Sequence, residues 1–422
     1  MILANITTPL LGLVDTAVMG HMDSSAMLAG ASIGTLILTQ IYWVCGFLRM
    51  SATGLSAQAK GDKHNSKIMS AKTLWQTAAI GLLLAAGIVL LQVPILSAGQ
   101  FLADTTNEVA HYTASYFYAR VWGAPAAMLN LVLIGWLVGQ QKTKSVLWIQ
   151  VVGNVLNAAL DMLFVFVFDM GVAGVAWASV MAEYTMMGFG FVVAFRQIRG
   201  IQPALSWFNS AARKVLFKLN SNILLRNLAL QLCLAFLTLQ GARMGETAAA
   251  VNAILMQFFV LIALGLDGIA QAVEALIGEA KGAKDKTGVL QHTQRGLFWS
   301  SCFAIGYALL FYLAGHGIIA LLTDLPPLRQ AAELYLPLMV LLPLLAHWCF
   351  LFDGVFVGLT RSKEMRNTML ISAFGVYFPV WWLTSDAGNK ALWYGLLAFL
   401  FARGVTLGYS FYRFIRQDDN VF

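Results

Sequence analysis

The chain has 422 residues, of which 59% are hydrophobic and only 11% charged, where a soluble domain carries roughly 25% charged residues. That deficit leaves too little polar surface to coat a globule of this size and excludes an ordinary soluble enzyme; lipid is the solvent that fits. The net charge of +7 sits in short polar breaks between apolar runs, where basic residues orient helices in a membrane, and no nucleic-acid-binding motif accompanies it.

A bilayer core takes about 20 apolar residues per helix. Runs of that kind stand at 1–20, 26–58, 72–98, 108–140, 145–168, 171–196, 211–242, 247–279, 290–323, 328–360, 364–384 and 389–416. They predict an all-α polytopic membrane protein of about twelve transmembrane helices, several long enough to tilt or to protrude into water. The ten-residue alternating segments of membrane barrels are absent from the sequence. Met1 leads into Ile2–Ala4 without a basic stretch, so no cleavable signal peptide is expected. Cys45, Cys233, Cys302 and Cys349 all lie within apolar runs and are expected as small buried thiols, not as a disulfide or metal site.

The first segment carries Asp15, and the second ends in GLSAQAKGDK (54–63). The fourth ends in GWLVGQQKTK (135–144). The fifth carries Asn154, Asn157 and Asp161 on one helix face, and the sixth carries Ser179. Beyond the linker Ile201–Ala212, the seventh carries Arg226, and the eighth carries Asp267 and Glu274 before ALIGEAKGAK (275–284). The tenth carries Asp353 and closes on GVFVGLTRSK (354–363). The two pairs of similar stretches lie at offsets of 221 and 219 residues, the mark of a duplicated unit of the kind carriers use. Two pseudo-symmetric six-helix lobes follow: an N-lobe at 1–205, helices 1–6, and a C-lobe at 206–422, helices 7–12. Each copy holds a GxxxG pair, Gly135/Gly139 and Gly354/Gly358, which reads as close helix packing.

Lys and Arg in alternate connections and the C-terminal tail number twenty, against Arg243, Arg329 and Lys390 in the opposite connections. Positive loops stay cytoplasmic, which places both termini inside. There is no GxxxxGK[ST] for ATP and no HExxH or GxSxG, so no enzyme activity is expected and any work is drawn from an ion gradient.

An ionisable side chain at membrane depth is costly and marks function or a partner. At about 1.5 Å rise per residue, Asp15, Asp161 and Ser179 lie about 7, 10 and 12 Å from the outer helix ends at Gly20, Phe168 and Gly171. Two carboxylates, two amides and a hydroxyl therefore converge on one level of the first lobe. Hard oxygen ligands suit Na⁺; two adjacent acids that cannot ionise together cheaply suit a shared proton. Hydrogen bonding between helices is the structural alternative. Leu13, Val14, Leu160, Leu163 and Phe164 are expected to keep this pocket dry, which favours H⁺. In the second lobe Phe236 takes the position of Asp15, at an offset of 221. The buried charges expected there are Arg226, Asp267, Glu274 and Asp353, with Arg49 at a comparable level. An Arg among acids reads as a structural or gating cluster, or as a substrate-cation site.

The run ITTPLLGLVDTAVMGHMD (Ile6–Asp23) resembles the first helix of the multidrug and toxic compound extrusion (MATE) transporters, specifically the DNA-damage-inducible DinF branch. FLRMSATGLSAQAKGDK, VVGNVLNAALDMLFV, LDGIAQAVEALIGEAKGAKD and LFDGVFVGLTRSKEMRNTML are similar to that branch in turn. The resemblance covers nearly the whole chain. It implies a multi-pass bacterial inner-membrane antiporter, expected as a monomer, that exports cationic or amphipathic small molecules against inward H⁺ or Na⁺, with no other cofactor. By position it assigns Asp15, Asn157, Asp161 and Ser179 to the N-lobe cation site. A proline that relatives carry upstream of this aspartate falls ahead of Met1, and Pro9 is a different position. The competing readings are a lipid-linked oligosaccharide flippase of the same superfamily, expected to have a cationic cavity, and a non-transporting structural membrane protein.

Overall fold

The computed structural model describes residues 18–19, 24–103 and 106–416, so Asp15 lies outside the described residues. Those residues form helices and the turns between them, with no strand. In chain order the helices are α1 (Ser25–Val44), α2 (Phe47–Gly61), α3 (Ser66–Leu90), α4 (Gln92–Ala103), α5 (Asn107–Arg120), α6 (Ala124–Gly139), α7 (Thr143–Met162), α8 (Gly171–Gln197), α9 (Ser210–Arg243), α10 (Glu246–Gly282), α11 (Lys286–Leu322), α12 (Pro326–Glu333), α13 (Leu336–Gly358), α14 (Ser362–Ser372), α15 (Phe378–Leu383) and α16 (Asn389–Arg416).

Ten stretches among the described residues are long and apolar enough to cross a membrane. The predicted segment at 364–384 is also helical, but it is interrupted: a π-turn at Ala373–Tyr377 separates α14 from α15. Four predicted segments are divided between successive helices: 26–58 between Val44 and Phe47, 108–140 at Val121–Gly123, and those at 72–98 and 328–360. The one at 72–98 divides after Leu90, since Pro94 has no N–H to give the carbonyl four residues back. The one at 328–360 divides into α12 and α13, with Pro337 in the first turn of α13, where its missing N–H leaves no helical bond unmade.

The chain divides into two compact units, with the boundary between Lys214 and Val215, inside α9. In the first, α2 packs on α6, α1 on α5, and α7 on α8. In the second, α10 and α11 pack on α13, and α13 on α16. The duplicated glycines explain the equivalent contacts. A Cβ on Gly135 would stand 2.3 Å from the Arg49 carbonyl oxygen, and one on Gly139 would stand 2.5 Å from that of Thr53. Their counterparts Gly354 and Gly358 would place a Cβ 2.6 Å from the carbonyl oxygens of Ala270 and Glu274. Only hydrogen fits between these backbones.

The turns that follow repeat as well. Gln141 and Thr360 both adopt left-handed backbone, with φ of 58° and 53°. The next amide bonds back to the helix in each copy, Lys142 to Leu137 at 2.8 Å and Arg361 to Phe356 at 3.1 Å, the Schellman closure of a helix end.

Candidate functional site

In the first unit the site is built on α7 and α8, joined by a π-turn at Leu163–Val167. Such turns widen a helix by one residue and re-aim the side chains beside them. Asp161 and Asn157 are buried, at 0% and 2% exposure. Asn157 Nδ2 donates to Asp161 Oδ2 at 2.7 Å, which gives the carboxylate a partner inside a helix long and apolar enough to cross a membrane. Ser179 is buried on α8, which packs along α7; its hydroxyl makes no hydrogen bond among the described residues. Asn154 lies on the same face of α7, and its Nδ2 is buried without a hydrogen-bond partner among the described residues. The structure thus brings Asn157 and Asp161 into contact and sets Ser179 on the adjoining helix. Of the apolar neighbours expected to seal the pocket, Leu163 is exposed.

A second charged pair in this unit was not read from the sequence. Arg120 of α5 grips Glu183 of α8 with both ends of its guanidinium, Nη1 to Oε2 at 2.8 Å and Nη2 to Oε1 at 2.5 Å. Glu183 lies one turn from Ser179 on α8. Arg120 also sits over the Tyr42 ring, 5.7 Å from its centre, and Asn130 Nδ2 donates to the Glu183 carbonyl at 2.9 Å. The signal was available: an Arg and a Glu, each inside an apolar run.

In the second unit Asp353 of α13 stands between two arginines. Arg226 of α9 reaches its Oδ2 at 2.5 Å, and Arg403 of α16 reaches the same oxygen. Arg226 also donates to Asn227 Oδ1 at 2.9 Å. One carboxylate oxygen therefore ties three helices together, and Arg403 joins the Arg226 and Asp353 that the sequence suggested. Glu274 is buried as expected. Asp267 is not: it is exposed, continuing the exposed stripe of Ala253, Gln257 and Val260 on α10. The sequence did not show which face of the helix Asp267 occupies. Cys302, expected buried, is exposed for the same reason. Asp267, Asp353, Arg226 and Arg403 all lie within electrostatic reach of Cys349.

The counterpart of the acidic site is aromatic. Phe236 meets Tyr377, Phe378 and Trp381 edge to face, with ring centres 6.1, 5.1 and 4.8 Å apart.

A family model for MatE matches residues 1–163 and 223–383, which takes in both duplicated units. The chain belongs to the MatE family. It is a multidrug and toxic compound extrusion transporter, a multi-pass membrane protein and not an enzyme by family. Over 413 residues the chain is 41% identical to DNA damage-inducible protein F of Escherichia coli (strain K12), covering 96% of this chain and 89% of that one. A probable multidrug resistance protein NorM of Pseudomonas syringae pv. tomato is 25% identical over 421 residues, 94% of this chain and 89% of that one. Among solved structures, a crystal structure of MATE in complex with MaD3S matches with a TM-score of 0.85 at 16% identity, covering 98% of this chain and 93% of that chain. An outward-facing multidrug resistance MATE family transporter of the MOP superfamily matches at 0.84 with the same identity and coverage. At that identity the likeness carries the MatE fold alone.

Proposed function

We propose that this MatE chain is a proton-driven exporter of cationic and amphipathic small molecules, in which Asp161, with Asp15, Asn157 and Ser179, exchanges the coupling ion. The observation that carries the reading is the buried Asp161 carboxylate, held at 2.7 Å by the Asn157 amide in a helix long and apolar enough to cross a membrane. A buried acid costs folding energy and is retained where it works. Protons are preferred to Na⁺ because a proton needs one carboxylate, whereas a Na⁺ cage wants several fixed oxygens, and α8 supplies only the short Ser179 hydroxyl. The basic loops orient the chain with both termini cytoplasmic, in a bacterial inner membrane, working as a monomer.

The test is export from inverted vesicles under separate proton and sodium gradients. Asp161→Asn keeps the shape and the Asn157 contact but cannot exchange a proton, so it abolishes proton-driven export while the protein stays folded. In the native chain, substrate release accelerates as the pH on the outer side falls. Export that follows a sodium gradient at clamped pH, and ignores a proton gradient in sodium-free buffer, overturns the choice of ion. Normal export by Asp161→Asn overturns the site.

A further inference from the structure

α7 carries more than the coupling carboxylate. Thr143, Gln150, Asn154, Asn157 and Asp161 recur at steps that, with 3.6 residues per turn, keep them within a stripe about 60° wide. Gln150 Oε1 and Asn154 Nδ2, one turn apart on that stripe, are both buried with no hydrogen-bond partner among the described residues. Buried polar groups are nearly always bonded to protein or to ordered water. Two such amides in step, continuing into the Asn157–Asp161 bond, are the arrangement that a short row of water would satisfy, each molecule bridging two or more polar groups. The stripe runs about 16 Å from Asp161 to Gln150 and about 10 Å more to Thr143, beside Lys142 and Lys144 at the end of the helix. Val146, fully buried, and Leu147 flank the one stretch of the stripe that lacks a polar side chain.

We infer that Gln150 and Asn154 line a hydrated file inside the first unit, along which the ion exchanged at Asp161 passes toward the Lys142 end of α7. Its use in coupling rests on the reading of Asp161 given above; its hydration does not. The arrangement gives the ion a route along the helix face in which neither amide is charged, so the file relays by hydrogen bonding and does not trap the ion.

The experiment uses the full chain in lipid vesicles, with Cys45, Cys233, Cys302 and Cys349 replaced by alanine or serine. A thiol reacts as thiolate, which forms only where water reaches it. Gln150→Cys and Asn154→Cys are expected to react with a small charged methanethiosulfonate about tenfold or more faster than Ile149→Cys, which is buried on the same helix but off the stripe. Equal rates at the three positions overturn the file, whatever the coupling ion proves to be. Gln150→Leu with Asn154→Leu should slow ion-coupled export about tenfold while substrate affinity holds. Gln150→Asn with Asn154→Ser, which keep hydrogen-bonding groups, should retain most of the rate. An unchanged rate in the leucine pair, or an equal loss in the polar pair, overturns the relay. Failure of Asp161→Asn to stop export, with fast labelling intact, removes the coupling acid and leaves the hydrated file standing.

Discussion

The four repeated glycines and two glycines that face open space, Gly87 and Gly306, make opposite predictions for one substitution. At Gly135 an added methyl would sit 2.3 Å from the Arg49 carbonyl oxygen, so α2 and α6 must part by 1.1 Å to restore an ordinary 3.4 Å contact. Overpacking of that kind costs about 1–3 kcal/mol, reduced by the helix-propensity gain of alanine over glycine, up to about 1 kcal/mol. With about 2–4 °C per kcal/mol for a folding unit of this size, Gly135→Ala should lower the melting temperature by several degrees. Gly354→Ala, facing the Ala270 carbonyl oxygen at 2.6 Å, should lower it somewhat less. Gly87 and Gly306 meet nothing within 4 Å, so Gly87→Ala and Gly306→Ala keep only the propensity gain and should raise it slightly. Thermal unfolding of the four variants in one detergent reads the result. A common sign for Gly135→Ala and Gly306→Ala would show that helix propensity, not backbone contact, governs these positions.

Asp353→Ala leaves Arg226 and Arg403 facing each other, and unfolding in detergent should show a loss of about 3–5 kcal/mol; Arg226→Ala should cost clearly less, because Arg403 still holds the acid. Arg120→Ala strands the Glu183 carboxylate and should cost a similar 3–5 kcal/mol, of which the double change Arg120→Met with Glu183→Leu should recover most; a double variant as unstable as the single would mean that the pair is not the cause. Thr360→Gly removes a β-branched residue from left-handed backbone at φ of 53°, and should raise the melting temperature by an amount equivalent to about 1 kcal/mol; a fall would show that the Thr360 hydroxyl bond to the Leu359 carbonyl outweighs the strain.

Length, charge placement and the offset repeats were enough to read the helices and the glycine contacts, because each is a property of one stretch of chain. The Asn157–Asp161 bond was legible too, since a spacing of four residues puts both on one helix face. What the sequence did not reveal was which face meets which helix. Asp267 and Cys302 stand within apolar runs yet are exposed, while Arg403 meets Asp353 from a helix fifty residues away. Arg120 and Glu183 were likewise visible as charges in apolar runs, but their meeting depends on the packing of α5 on α8. Breaks at Pro94 and Pro337 were written in the sequence and overridden by the hydropathy of the flanks.

The aromatic packing of Phe236 bears on the energy balance of transport. If the site proposed above is where the ion is exchanged, the ions moved per cycle there are bounded by the carboxylates of the first unit. One proton traded for one monovalent cation moves no net charge, so the membrane potential drops out. Accumulation is then limited to about tenfold per unit of pH difference, the ratio that 1.4 kcal/mol sustains. A second proton per cycle would add the potential back, at about 2.3 kcal/mol per charge for each 100 mV. The exported concentration ratio at steady state, measured with and without a potential, therefore counts the protons traded for each substrate cation.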